Sequence, residues 1–417
     1  MRIAILTDRF PALSETFIEN QILSLLDLGI GVTILASGRG STEVMHEATK
    51  RILAEAQIIY LPTPRPRARR WLDLLALPLR LPAALRIATE LRRLKARPGP
   101  HEILRLILAA SMLDYGLRFD FVFCHFAPNG SFGVWLRDAG LLQGTLLTFC
   151  HGYDFSELVQ ARGAAIFDRL FQRGDLFVAN TDYTRRRLLE IGAPAARTLK
   201  LPVGFYPERF RYRVRYAAPD RSVRFVSIGR LVEKKGHAYA LHALRQVLDA
   251  GIDAQLGIIG EGPQRAELVA LIKLLELEGA VTLYGRRSQE EVARLADEAD
   301  LFVIASTASS SGDVEGQGLV LQEAQAMGLP VIATRHNGFP EGMIDGETGL
   351  LVPEADIDGL AAGMIELARH PESWAPMGRA GHAFVRERFD QPRLTAELLG
   401  LLGVRPPSTQ RLAGALA

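Results

Sequence analysis

Short apolar runs alternate with amphipathic stretches along most of this chain. RIAIL at Arg2–Leu6 is followed by a helical pattern from about Glu15 to Leu28 and then by GVTILAS from Gly31. Further runs are QIIYLP, FDFVFC, TLLTFC, LFVAN and TLKLPVG. These runs are apolar throughout instead of alternating with polar residues, which predicts strands covered by helices on both faces, as in a parallel α/β sheet. The pattern restarts at RFVSIG (Arg224–Gly229) and continues through AQLGIIG, VTLYG, LFVIAS, PVIAT and GLLV. Between the two series lies RYRVRYAAPDRS, polar and without strong periodicity, which reads as a linker. The pattern predicts two similar doubly wound domains with a ligand-binding cleft between them.

A length of 417 residues exceeds what one core usually supports, in keeping with two domains. With 48% hydrophobic and 23% charged residues the composition is that of an ordinary globular protein. A net charge of +2 argues against general nucleic-acid binding. MRIAILTDRF reads as a strand and not a signal peptide, because its apolar run is short and charge follows. No uninterrupted apolar stretch reaches the roughly 18 residues that a membrane span needs.

Two cysteines, Cys124 and Cys150, fit a reducing cytoplasm, and each precedes a histidine. Adjacent strand residues point to opposite faces, so neither Cys-His pair is built to chelate one ion, and the cysteines are expected in the core. One segment breaks the alternation. Residues 65–105 hold eleven Arg or Lys against three Asp or Glu, a net of +8, with leucines and Trp71 interleaved. It reads either as a solvated helical excursion or as an interfacial element drawn to anionic lipid, with Pro78 and Pro82 breaking it into short pieces.

The densest chemistry lies in Glu315–Val352, EGQGLVLQEAQAMGLPVIATRHNGFPEGMIDGETGLLV. Glu315 sits beside Gly316 and Gly318, and Glu323 follows eight positions later on a predicted helix. At about 1.5 Å of rise per residue the carboxylates are separated by roughly 12 Å, a span suited to a ligand with hydroxyls at both ends. The helix N-terminus between them suits a diphosphate. The spacing alone is common, since Glu47/Glu55 and Glu290/Glu298 share it on what read as solvated helix faces. What distinguishes Glu315/Glu323 is the glycine-rich loop and an apolar helix on which a carboxylate needs hydrogen-bond donors, such as a ribose diol.

A second cluster is IGRLVEKKGH, where Gly229 ends a strand and Arg230 and Lys235 surround the turn into a helix. Two cations there suit a diphosphate, although a plain surface charge run has the same composition. The order of a P-loop is absent, and GIIGEGPQR is no dinucleotide fingerprint because Arg265 holds the third glycine position. A third cluster, TFCHGYDFSE, puts His151 just past a strand end, as a hexose contact or as a satisfied structural histidine. In FPALSETFIENQI, Ser14 reads as an N-cap with Glu15 and Thr16 in the first turn, by simple capping or with Thr16 as a ligand contact.

Together FPALSETFIENQI, CHFAPNG, TFCHGYD, PVGFYPERF, IGRLVEKKGH, IGEGPQR and the Glu315–Val352 block resemble the family 4 (GT4) retaining glycosyltransferases of GT-B fold. The resemblance covers nearly the whole chain and is nearest to exopolysaccharide enzymes of the colanic acid or amylovoran type. It implies two Rossmann-like domains facing a central cleft: an acceptor-binding domain at 1–212, a nucleotide-sugar donor domain at 213–385, and a tail at 386–417 that crosses back to the first. It further implies that Gly229, Arg230 and Lys235 bind the donor diphosphate and that Glu323 binds the ribose. Glu315, Gly316, Gln317, Gly318, Leu319 and Val320 would hold the hexose. His151 would face it across the cleft, Arg286 would border the base and Thr16 would complete the site. His151, Glu315, Arg230 and Lys235 are the implied catalytic set, acting without metal or other cofactor.

The implied donor is UDP- or GDP-hexose, and the implied acceptor a polyprenyl-diphosphate-linked saccharide or oligosaccharide at the cytoplasmic face of the plasma membrane. A soluble acceptor and a non-catalytic nucleotide-sugar-binding scaffold are the alternatives. Two departures stand out: Gln317 replaces the phenylalanine of many members, and ASTASSSGDVEG is a long polar approach to Glu315 that reads as a lid.

Overall fold

A computed structural model describes residues 1–12, 15–40, 47–61, 100–110, 117–217 and 222–404. Thirteen strands are described: β1 (Arg2–Phe10), β2 (Gly31–Arg39), β3 (Gln57–Tyr60), β4 (Leu117–His125), β5 (Leu142–Cys150), β6 (Leu176–Ala179), β7 (Thr198–Lys200), β8 (Val223–Ile228), β9 (Ala254–Ile259), β10 (Val281–Gly285), β11 (Leu301–Ile304), β12 (Val331–Thr334) and β13 (Gly349–Val352). They form two parallel sheets, β3-β2-β1-β4-β5-β6-β7 and β10-β9-β8-β11-β12-β13, as the alternation predicted.

The continuous apolar runs have a direct cause. In β1, Ile3 and Ile5 enter one buried cluster while Ala4 and Leu6 enter another on the opposite face. In β11, Leu301 and Val303 face one cluster and Phe302 and Ile304 the other. Both sheet faces are core, so the run Ile3–Leu6 of β1 and the whole of β11 are apolar. Cys124 and Cys150 are buried and unpaired within the core that holds Ala4 and Leu6.

Both sheets reverse strand order beside their first strand, between β1 and β4 and between β8 and β11. A crevice forms at the carboxyl ends of the strands at such a switch point. The loops that border it follow β1, β4 and β5 in one sheet and β8 and β11 in the other.

The predicted linker is docked. Arg215 is 2% exposed, and its guanidinium donates to the carbonyls of Asp297, Ala299 and Met327 at 2.6, 2.9 and 3.0 Å. The last described helix, Gln391–Leu401, lays Leu394, Leu398 and Leu399 into the core beneath β1 and β2. Two side chains cross between the sheets. Gln317 both accepts from the Val203 N–H at 2.7 Å and donates to its carbonyl at 2.8 Å. Glu341 accepts from the N–H of Asp182 at 2.8 Å and pairs with Lys200 at 2.8 Å.

Ser14 lies outside the described residues. The helix Thr16–Asp27 begins one residue later than its pattern suggested, with Glu15 at the N-cap and no side-chain cap. Of the basic segment, residues 62–99 also lie outside the described residues. Its far end is turned inward, with Arg105 donating to Ser37 at 2.9 Å and resting 3.7 Å over the Phe132 ring. Among the described residues no helix is long and apolar enough to cross a membrane, and no group of three or more His, Cys, Asp or Glu is placed to hold a metal ion.

Candidate active site

Every candidate residue from the sequence except Glu323, which lies in the second turn of its helix, is in a loop or first helical turn at the carboxyl end of a strand, and most border the crevice between the two sheets. The half built on the second sheet is ionic. After β8, a short turn at Glu233–Lys235 points both lysines inward. Lys235 Nζ lies 3.0 Å from Glu315 Oε2 and Lys234 Nζ 3.3 Å from Oε1, with all three side chains only 9–13% exposed. Lys234 also meets Asp313 at 3.0 Å and donates to the Val314 carbonyl at 3.2 Å. Burial alone would push the Glu315 carboxyl up, but Lys235 and Lys234 overcome it and hold it at about 2. Glu315 is therefore a fixed anion. Gly229 lies beneath this cluster, where a Cβ would sit 3.0 Å from the Lys235 stem and press it aside.

The backbone of Glu315 is held as firmly as its side chain. Its N–H donates to His336 Nε2 at 3.1 Å, its carbonyl accepts from Asn337 at 2.9 Å, and His336 Nδ1 meets Glu354 at 2.9 Å. Asn337 adopts φ 45° to do this, a left-handed conformation that asparagine tolerates. Glu354 also accepts from Thr307 Oγ1 and the Ala308 N–H at 3.0 and 2.7 Å. The polar approach that reads as a lid is thus tied down at both ends, by Glu354 at one and Lys234 at the other.

Glu323 is the opposite case. It lies on the helix Leu319–Ala326, and among the described residues its carboxylate has no hydrogen-bond or ion-pair partner. Burial pushes its carboxyl up to about 7, opposed only by nearby Lys235. Gly318, at φ 74°, starts the helix without a side-chain cap, and a Cβ there would collide with the Phe339 ring. The first N–H groups, at Leu319 and Val320, are left facing the crevice end of the helix. Arg230 and Arg286 are exposed, and among the described residues neither pairs with a carboxylate. Gln317 contributes only backbone to the loop, since its amide is bonded to Val203.

The half built on the first sheet is neutral and aromatic. The His151 carbonyl closes against Gly316, where a Cβ would come within 2.0 Å of it, so the two halves meet at a glycine. His151 is ringed by Phe17 at 4.6 Å and Phe126 at 4.9 Å, and burial depresses its imidazole to about 3. Asp154, fully buried, accepts from the N–H groups of Ala127, Gly152 and His151 at 2.9, 3.1 and 3.3 Å, fixing the turn. Thr16, the first residue of its helix, is partly buried next to Phe17.

Four residues escaped the sequence reading: Lys234, His336, Asp154 and His125. His125 ends β4 as His151 follows β5, and its Nδ1 lies 3.2 Å from His151 Nε2. The signal was present in the paired Cys-His runs, which point to neighbouring histidines instead of a metal.

Comparison with known proteins places this geometry. Residues 208–384 match the family described as glycosyl transferases group 1, and residues 14–204 match the glycosyl transferase 4-like domain. The chain is 33% identical over 410 residues to a Salmonella typhimurium protein named as the colanic acid biosynthesis glycosyltransferase WcaL, covering 96% of this chain and 99% of that one. It is 32% identical over 407 residues to the amylovoran biosynthesis glycosyltransferase AmsK of Erwinia amylovora, with coverage of 96% and 99%. Among solved structures, Anabaena Alr3699/HepE in complex with UDP-glucose superimposes with a TM-score of 0.70 at 19% identity, covering 97% of this chain and 99% of that one. That likeness is one of fold, two Rossmann-like sheets facing a cleft in the GT-B arrangement.

Proposed function

The chain belongs to the group 1 (GT4) glycosyltransferase family and is a glycosyltransferase of GT-B fold, and we propose that it moves a hexose, with retention of configuration, from a UDP- or GDP-sugar to a lipid-linked or oligosaccharide acceptor in surface polysaccharide synthesis. The observation that carries this reading is Lys235 between two carboxylates in opposite states. Glu315 is pinned as an anion, whereas Glu323 is raised to about 7 with no partner. A half-buried carboxylate without a side-chain partner calls for hydroxyl donors, and a ribose diol supplies two.

On this reading Glu323 takes the ribose, and Lys235 and Arg230 take the diphosphate with the uncapped helix start at Gly318. Glu315 and the Gly316–Val320 backbone take the hexose, His151 faces it, and Arg286 borders the base. The cations need no metal to fulfil their role: they stabilise the charge that gathers on the departing diphosphate as the glycosidic bond breaks. Glu315 is too acidic to shuttle protons at neutral pH, so it acts as a fixed negative group beside the reacting carbon. The glycine contact between Gly316 and His151 keeps water from the donor.

The polysaccharide context rests on the two named relatives, and the membrane-linked acceptor on the +8 segment at 65–105. The test is transfer from UDP- and GDP-hexoses to a polyprenyl-diphosphate-linked saccharide, with the product anomer read by NMR. An inverted anomer, or tight donor binding with neither transfer nor hydrolysis, rejects this reading.

A further inference from the structure

Behind His151 lies a chain of buried polar groups that the proposed chemistry does not use directly. His125 is 2% exposed and Gln21 8% exposed. Gln21 Oε1 lies 3.0 Å from His125 Nε2, and His125 Nδ1 lies 3.2 Å from His151 Nε2. The two imidazoles are nearly parallel, 12° apart, with centroids 5.4 Å apart, too far for face-to-face contact and suited to an edge-to-edge hydrogen bond. Burial depresses both rings, so each carries one proton. An amide oxygen only accepts, which places the His125 proton on Nε2 and leaves Nδ1 as an acceptor. His151 must then donate from Nε2, and its Nδ1 keeps a free lone pair. The Phe149 ring, stacked 5.0 Å from His125, holds the relay in place.

We propose that Gln21 and His125 are positioning residues that fix His151 as the Nε2–H tautomer, so that Nδ1 accepts a hydroxyl proton from the transferred hexose. The use of that Nδ1 rests on His151 facing the hexose; the tautomer itself does not. The structure makes Gln21 the origin of the order, because turning its amide over would reverse every proton in the line.

The test is nitrogen NMR of histidine-labelled full-length protein combined with kinetics. In the wild type, His151 Nδ1 gives a pyridine-like and Nε2 a pyrrole-like resonance. In His125→Leu the two tautomers mix, and kcat falls roughly 10-fold or more while UDP and GDP affinities stay within about 2-fold. His125→Asn, whose side-chain oxygen can replace Nδ1 as the acceptor, restores the tautomer and most of kcat. Gln21→Glu keeps the tautomer but shifts the acid limb of the rate profile to higher pH, because a buried carboxylate favours the imidazolium. The relay is overturned if His151 keeps one tautomer in folded His125→Leu, or if His125→Asn is as slow as His125→Leu at equal Tm. Full transfer by His151→Ala would instead remove the hexose contact and leave the spectral result standing, so the two failures are distinguishable.

Discussion

The two sheets share one topology and furnish their crevices in opposite ways. At the β8/β11 switch point the ammoniums of Lys234 and Lys235 lie 3.3 and 3.0 Å from the Glu315 carboxylate. At the β1/β4 switch point two neutral histidines sit among Phe17, Phe126 and Phe149. The difference teaches a division of labour. The cations suit the diphosphate, whose charge changes during reaction. Neutral, tautomer-defined groups suit a sugar, which offers only hydroxyls.

The sharpest way to break this contrast is to neutralise the ionic half. Glu315→Ala leaves the buried Lys235 ammonium without its carboxylate and Lys234 with Asp313 alone, so transfer should fall by about 10²–10³-fold and stability by about 3–5 kcal/mol in urea unfolding. The pH dependence has a definite sign. The Glu315 carboxyl lies near 2 when folded against an ordinary 4.5, so its stabilisation is present above 4.5 and is lost as pH falls from 4.5 toward 2. The wild type should lose stability across that window more steeply than the variant does.

Glu323 should behave in the reverse sense. Its folded value near 7 exceeds the ordinary 4.5, so the folded state holds an extra proton and stability declines as pH rises from 4.5 to 7. Glu323→Gln is expected to raise Tm at pH 8 and to lower nucleotide affinity about 10-fold, the worth of about one charge-assisted hydrogen bond. Nucleotide binding by the wild type should weaken as pH drops below 7 and Glu323 loses its charge. A pH-independent affinity between 6 and 8 would separate Glu323 from the ribose.

The two bridges between the halves offer a smaller effect. Glu341 accepts the first N–H groups of the helix Asp182–Glu190 from across the cleft, at 2.8–3.3 Å. Glu341→Gln should cost about 1–2 kcal/mol and raise KM for the donor more than it lowers kcat, by loosening the approach of the sheets. An unchanged KM with lower kcat would move Glu341 from closure to chemistry.

Much of this was legible in the chain. Strands buried on both faces, such as β11 and Val331–Ala333 of β12, must be apolar throughout and left readable runs. β1 extends past its apolar core to Phe10 because Arg9 and Phe10 still pair with Gly38 and Arg39 of β2, a reason that lies in the neighbour and not in the run. TLKLPVG contributes only Thr198–Lys200 to an edge strand; its remainder is the loop that carries Val203 to Gln317. The acidic pairs sorted by context as expected: Arg51–Glu55 and Arg294–Glu298 are ordinary surface pairs on helices, while Glu315 and Glu323 border the crevice.

What stayed hidden was orientation. Composition cannot say which lysine of Lys234 and Lys235 turns toward Asp313 and which toward Glu323. Nor can it say that the histidines of two distant runs meet, because that depends on β4 and β5 being neighbours.

The central claim is that the nucleotide belongs to the second sheet and that His151 of the first meets only the hexose. Calorimetric titration of UDP and GDP into the wild type, Lys235→Ala, Glu323→Ala and His151→Ala tests it most directly. The account predicts a loss of affinity of roughly 10-fold or more in the first two variants and none beyond about 2-fold in His151→Ala. Wild-type affinity in both Lys235→Ala and Glu323→Ala, or an equal loss in His151→Ala, would contradict it.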